Sequence, residues 1–373
     1  MSTAQHSAVR PLPTEREIGV SAESLTAYEE TADRPGSPPD ASVTTSTPAG
    51  VKPNPYGVTP DAAWVTGSPS DPDDSTGKVR ILSAPRSVTL SGDARHAFVT
   101  NAGSGDLSVF IVTVGKPALA QTLSTGAGSL SVAEHDGLVY VLNSGEASLS
   151  GFVTEGGRLS PVSGEMRRWD PEGKPAQVGF SPDGRALVVT ERGADRILTF
   201  PVESSGSLGK PVSQPASGVT PYGFDFTPAG VLVVTEAFAG EPGRSAVSSY
   251  AVKDSALTPV SHSVGNGRTA LCWAVLSHDG RYAFGTNFGD GAVSRYDIAP
   301  DGTLTLGEAA AGVVVDGSSG PRDLAFSADG RFLYAIDADS QQLVGWSVDS
   351  GGRLSQIGSW GGLPSTVAGI AAS

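Results

Sequence analysis

The stretch Phe180–Phe200, FSPDGRALVVTERGADRILTF, constrains the fold more than any other feature, because the chain repeats it. An apolar strand end runs into a Ser-Pro-Asp-Gly turn. A second strand follows over Ala186–Thr190, then a short polar hairpin, then a third strand ending on an aromatic. Asp-Gly supplies the positive φ that tight hairpins need, and the flanking β-branched residues suit a pleated surface. Echoes occur at Ser91–Phe110, Glu134–Phe152, Thr227–Tyr250, Ser277–Tyr296 and Ser327–Trp346. The closing aromatics Phe110, Phe152, Phe200, Tyr250, Tyr296 and Trp346 stand 42, 48, 50, 46 and 50 residues apart. A period of about 40–50 residues, filled by four short strands, is the signature of propeller blades. The fourth strands are expected near Ala118–Leu123 and over Gly157–Val162, Gly206–Val212, Ser255–Val260, Gly302–Leu306 and Gly352–Ile357.

The expectation is therefore an all-β, seven-bladed β-propeller of four-stranded antiparallel blades. Six repeats are visible from Val79 onward, and Pro364–Ala371 has the pattern of the strand that opens each blade. It is expected to be the inner strand of a seventh blade, with outer strands drawn from roughly Glu15–Thr47. Such closure ties the ring together and removes exposed sheet edges. Eight blades would follow if Pro55–Ile81 formed a degenerate extra one. Residues 1–20 read as a mobile arm and 21–373 as a single propeller domain, with 48–78 either a loop or a degenerate blade.

Composition narrows the partners. The net charge of −14 opposes nucleic acid and anionic membrane surfaces, which need clustered Lys and Arg. Cys272 is the single cysteine, so an intramolecular disulfide is excluded. The five histidines show no metal-ligand spacing, and His135 and His278 fall at the turn position that Pro182 occupies, which points to solvent. The acidic Ser68–Gly77 lacks a calcium-ligand register and reads as a solvated linker. No metal and no cofactor is expected. Residues 1–30 lack a basic start followed by an apolar core, which suggests a cytoplasmic protein, with an extracellular one as the alternative. A monomer that binds an anionic or carbonyl-bearing small molecule is expected.

Repetition gives an internal control: what recurs serves the fold, and what occurs once is a candidate for function. The residue closing each second strand is polar throughout: Asn101, Asn143, Glu191, Glu236, Asn287 and Asp337. Recurrence favours local capping of the hairpin. Glu191 and Glu236 stand apart, because Glu is long for an Asx-type turn. A second column follows the start of each inner strand and holds Arg86, Ser129, Ala176, Tyr222, Cys272 and Arg322. The next position holds Ser87, Leu130, Gln177, Gly223, Trp273 and Asp323. Inner strands line a propeller's channel, so Arg86 and Arg322 could face an anion or a polarised carbonyl, or simply pair with carboxylates such as Asp323. Tyr222, Trp273, Gln177 and Asp323 are the candidate substrate contacts. Met166–Asp170 (MRRWD) reads as an acid-recognising cluster or a solvated loop, and Phe238–Arg244 as a flap over the mouth or a surface insertion.

The units SPDGRALVVTERGADRILTF and HAFVTNAGSGDLSVF resemble blades of the lactonase-type seven-bladed propellers, which include 6-phosphogluconolactonases of the propeller type and carboxymuconate lactonising enzymes. Val99-Thr100-Asn101 also resembles the core of YVTN repeats. The resemblance implies a lactone hydrolase or lactonising isomerase with a metal-free site of Arg, His and Glu at the channel mouth. Arg86 and Arg322 match the Arg slot, and Glu191 and Glu236 the Glu slot, so these four are the candidate catalytic residues. The His slot holds Ser87, Gln177, Gly223, Trp273 or Asp323, and never His. The other reading is a non-catalytic propeller that binds a small molecule or a protein through its rim loops.

Overall fold

In the computed structural model, residues 40–43, 56–61, 63–67, 85–112, 117–314, 320–363 and 367–372 are described. Six four-stranded antiparallel sheets stand where the six repeats were read. Blade 1 comprises Val88–Leu90, His96–Asn101, Asp106–Ile111 and Ala118–Ser124. Blade 2 comprises Ser129–His135, Leu138–Asn143, Ser148–Glu155 and Arg158–Arg168. The inner strands of blades 3 to 6 are Pro175–Phe180, Pro221–Phe226, Leu271–Leu276 and Pro321–Phe326. Their second strands are Ala186–Glu191, Val231–Glu236, Tyr282–Asn287 and Phe332–Asp337. Apart from strands, the described residues hold only two three-residue 3-10 turns.

The Ser-Pro-Asp-Gly turn is a small hydrogen-bonded machine. Ser181 Oγ donates to Asp183 Oδ1 at 2.6 Å and accepts from the Ala186 amide, while Asp183 also accepts from the Arg185 amide. Gly184 sits at φ +67°, which an L side chain resists. The same serine–aspartate pairing closes the turns at Ser91, Ser277 and Ser327. The third-strand aromatics are buried in layers between blades. The threonine before the end of the second strand stitches neighbours together. Thr190 donates to the Tyr222 carbonyl at 2.6 Å, Thr235 to Cys272 at 2.9 Å and Thr100 to Leu130 at 3.3 Å. The recurring Val-Thr-Asn/Glu is thus an inter-blade bond written into the sequence.

Two placements differ from the sequence reading. The fourth strand of blade 3 is Val212–Pro215, not Gly206–Val212, because Val202 and Leu208 first form an isolated bridge. In blade 2, Ser129 pairs with Asn143 as Pro175 pairs with Glu191, so Ser129 takes the proline place and Leu130 the first column. The shorter turn at His135–Gly137 shifted that register.

Val367–Ala372 lies between the inner strands of blades 6 and 1 and pairs antiparallel with Ala63–Gly67. The partner comes from the stretch 48–78, not from 15–47 as expected; Asp40–Val43, which packs beside it, pairs with Tyr56–Asp61. Residues 1–20 and Ser68–Gly77 lie outside the described residues, as does Pro364.

Candidate active site in the central channel

The polar residues closing the second strands point into their own blades. Glu191 is fully buried, accepting from Trp169 Nε1 at 2.6 Å and from Arg196 Nε. Glu236 is equally buried and accepts from Ser248 Oγ at 2.5 Å and Ser263 Oγ at 2.7 Å. Burial pushes its carboxyl above the usual range, against the pull of those hydroxyls and the Gly218 amide. Asp337 caps its hairpin through the Asp339 and Ser340 amides, whereas Asn143 gathers Thr125, Ser148 and Ser150. The cluster Met166–Asp170 is also stitching: Trp169 serves Glu191, Arg168 pairs with Glu146 at 3.2 Å, and Arg167 donates to the Leu208 carbonyl. In Phe238–Arg244, the Arg244 guanidinium stacks over its own segment's Phe238 at 5.6 Å.

Other candidates meet in the channel. Arg86, at φ +58°, sends Nη2 to Asp225 Oδ1 at 2.7 Å, from blade 1 to blade 4. Arg86 and Asp225, the ends of this bar, both line each of two cavities. One, of about 220 Å³, is lined by Glu134, His135, Phe180 and Phe226 among others. The other, of about 250 Å³, is lined by Asp323, Leu276, His278, Phe326 and Ile370. Asp323 is 5% exposed and accepts from its neighbour's Leu324 amide at 3.1 Å and the Ile370 amide at 3.4 Å. Burial, opposed by those amides and by Arg86, raises its pKa to about 7.

Around Tyr222 a second group assembles. The Tyr222 ring meets Trp273 edge-on at 5.7 Å, and the Arg192 guanidinium lies 5.8 Å above its centroid. Burial raises the Tyr222 hydroxyl to about 12, while Arg192 and Arg322 act to lower it. Arg322 is 6% exposed and donates Nη1 to the Val367 carbonyl at 2.7 Å. Gln177 is committed to the scaffold: its amide brackets Phe224 N–H and C=O at 2.9 and 2.8 Å, replacing ladder bonds between blades 3 and 4. Gly223 leaves its slot empty for steric reasons, because a Cβ there would stand 2.4 Å from the Cys272 carbonyl oxygen. The Cys272 thiol is pushed up to about 12 by burial, so it is no nucleophile near neutrality. No cluster of three metal-ligating side chains occurs among the described residues.

Sequence reasoning missed Asp225, the one charge among Thr89, Ala133, Gly179, Val275 and Ala325 at the same place in the inner strands. His278 is exposed in its turn as the sequence reading expected, whereas His135 is half-buried; both also line a cavity and pack on Phe326 and Phe180, each at 5.8 Å.

Residues 71–237 match the family model described as lactonase, 7-bladed beta-propeller. The resemblance is to the lactonase propellers. Solved structures agree on the fold of this lactonase-like chain. A putative 6-phosphogluconolactonase from Bacteroides uniformis is 20% identical, with 76% of this chain and 86% of that one covered and a TM-score of 0.63. A second putative 6-phosphogluconolactonase, from Bacteroides fragilis, is 18% identical over 83% and 96%, also with a TM-score of 0.63. The Pseudomonas aeruginosa periplasmic gluconolactonase PpgL is 19% identical over 77% and 87%, with a TM-score of 0.59. No curated protein matches the chain. No helix among the described residues is long and apolar enough to cross a membrane.

Proposed function

We propose that this lactonase-like propeller hydrolyses a lactone in the channel beside the Arg86–Asp225 bar. The observation that carries this reading is Asp323, a buried cavity carboxyl whose pKa of about 7 lets it do what imidazole does elsewhere. It stands in the slot where the family resemblance calls for His. As carboxylate, Asp323 takes a proton from water as the water oxygen attacks the lactone carbonyl carbon. The developing oxyanion is stabilised by Arg86, whose guanidinium has N–H groups beyond the one held by Asp225. The ring C–O bond then breaks and Asp323 returns its proton to the departing alkoxide, giving a hydroxy acid. Metal is not required for any of these steps. Glu191 and Glu236, matched to the Glu slot, act here as supports of blades 3 and 4.

The ring itself is proposed to have seven blades. The ladder of Val367–Ala372 with Ala63–Gly67, and Asp40–Val43 with Tyr56–Asp61 beside it, supply the seventh.

The test is a pH-stat assay of the purified protein on γ- and δ-lactones, with Asp323→Asn as control. Loss of general acid–base help should lower turnover by about 10²–10⁴-fold. Ligand-induced thermal shifts without turnover would establish the binding-module reading instead, and an Asp323→Asn variant as fast as wild type would sink the mechanism.

A further inference from the structure

Asp323 lines one of the two channel cavities and not the other. That other cavity, of about 220 Å³, lies among blades 1 to 4, and its lining breaks the repeat twice. The sixth place of the inner strand is apolar in five blades, as Leu90, Phe180, Phe226, Leu276 and Phe326. In blade 2 it is Glu134, which pairs with Val139 across the ladder as Phe180 pairs with Leu187. Asp225 is the one charge at the fifth place. Both carboxylates line this one cavity.

The turn after Glu134 departs from its counterparts too. Asp93, Asp183, Asp279 and Asp329 each form an ion pair with the arginine two residues on, namely Arg95, Arg185, Arg281 and Arg331. In blade 2 the aspartate is Asp136, and Leu138 stands where the arginine would be. Glu134 takes its hydrogen bonds from backbone instead, the Gly92 amide at 2.9 Å and the Gly137 amide at 2.8 Å. A carboxylate has about four acceptor sites, so these amides leave room for more. Arg86 sends its Nη2 to Asp225, not to Glu134. With the His135 imidazole uncharged, the lining therefore holds two carboxylates against one guanidinium, a net charge of −1. The surrounding chain, at −14, adds a field of the same sign.

The rings of Phe180 and Phe226 line the same space, and aromatic rings attract cations. Hydrogen-bond acceptors are scarcer than charge. Asp225 Oδ1 already accepts from Arg86 and the Phe226 amide, and Oδ2 from the Leu276 amide. A metal ion would want several free oxygens, whereas an ammonium whose hydrogens are replaced by alkyl groups wants charge and rings alone. At about 30 Å³ for each water-sized group, the cavity has room for about seven of them. We infer that this cavity binds a small alkylated ammonium ion, held by the charge of Glu134 against the rings of Phe180 and Phe226. The site needs no hydrolysis in its neighbour and stands apart from that reading.

The probes are choline and 3,3-dimethylbutan-1-ol, its neutral isostere with carbon in place of nitrogen, titrated calorimetrically into the full-length protein. Choline should bind in the millimolar range, as suits so small a ligand, and at least tenfold more tightly than the alcohol. Glu134→Gln should lower choline affinity about five- to tenfold and leave the alcohol unchanged, since only the charge is removed. Phe180→Leu places there the residue that blades 1 and 5 already carry, so it should fold, and it should weaken choline about two- to fivefold. Circular dichroism checks both variants, and Phe180→Leu carries the test if Glu134→Gln does not fold. Equal affinity for choline and the alcohol, or no heat at millimolar choline, would overturn the site. Choline affinity unchanged in the folded variants would overturn it as well, placing the ion on the acidic surface instead. Hexylammonium binding tenfold more tightly than choline would refute the alkylated class and show that hydrogen bonds, not rings, select the ligand.

Discussion

Arg86 and Asp225 are 139 residues apart in sequence, and their side chains meet at 2.7 Å between blade 1 and blade 4. Asp225 Oδ2 also accepts from the Leu276 amide of blade 5, so one carboxylate ties three blades around the channel. The pair is partly exposed, at 38% and 22%, which moderates its strength. Asp225→Ala leaves both a guanidinium and an amide without their partner. The expected loss is about 1–3 kcal/mol, read as a lower urea midpoint at unchanged slope. Asp225→Asn should cost less, because its amide oxygen can still accept.

Asp323 should make both rate and stability depend on pH, in opposite senses. Its folded pKa of about 7 lies above the ordinary carboxylate value, so between about pH 4 and 7 the unfolded chain binds fewer protons. Stability contributed by the neutral carboxyl is complete below that window and falls as pH rises through it. Turnover needs the carboxylate and should rise with an inflection near 7. Asp323→Asn should flatten both profiles. A wild-type unfolding free energy that does not decline across the window, relative to the variant, would refute the assignment.

Glu191→Gln tests whether the carboxylate serves chemistry or architecture. The substitution breaks a fully buried acceptor away from Arg196, which is 31% exposed, and sets an amide group against Trp169 Nε1. We expect about 2–3 kcal/mol of destabilisation, below the range for wholly buried pairs because of the arginine's exposure. Activity per folded molecule, measured after correcting for the unfolded fraction, should stay near wild type.

6-Phosphogluconolactone should be a poor substrate. Near Arg86 stand Asp225, Asp323 and Glu134, and a phosphate dianion there meets like charge costing several kcal/mol. Its kcat/KM should lie on the order of a hundredfold below that of an uncharged lactone of similar size. Efficient turnover abolished by Arg322→Ala would overturn this expectation.

The blades were legible because each hairpin carries its own chemistry: Ser181, Asp183 and Gly184 specify a turn whatever surrounds it. The candidate site was legible only where a residue broke its column. Asp323 and Arg322 stand out in this way, and so does Asp225, once the column two places further along is read. Glu191 misled because length alone does not tell whether a carboxylate looks into a channel or into its own blade; the deciding donors, Trp169 and Arg196, lie on other elements. Gly67 and its strand were hidden because a closing ladder need not repeat the turn pattern of the blades it joins.

Val367–Ala372 does more than seal the ring. Its Val367 carbonyl anchors Arg322, and its Ile370 amide holds Asp323. These partners lie 45 and 47 residues further along the chain than the side chains they hold, so the geometry proposed for hydrolysis exists only once that strand has docked, and turnover, where it is found, would report the docking.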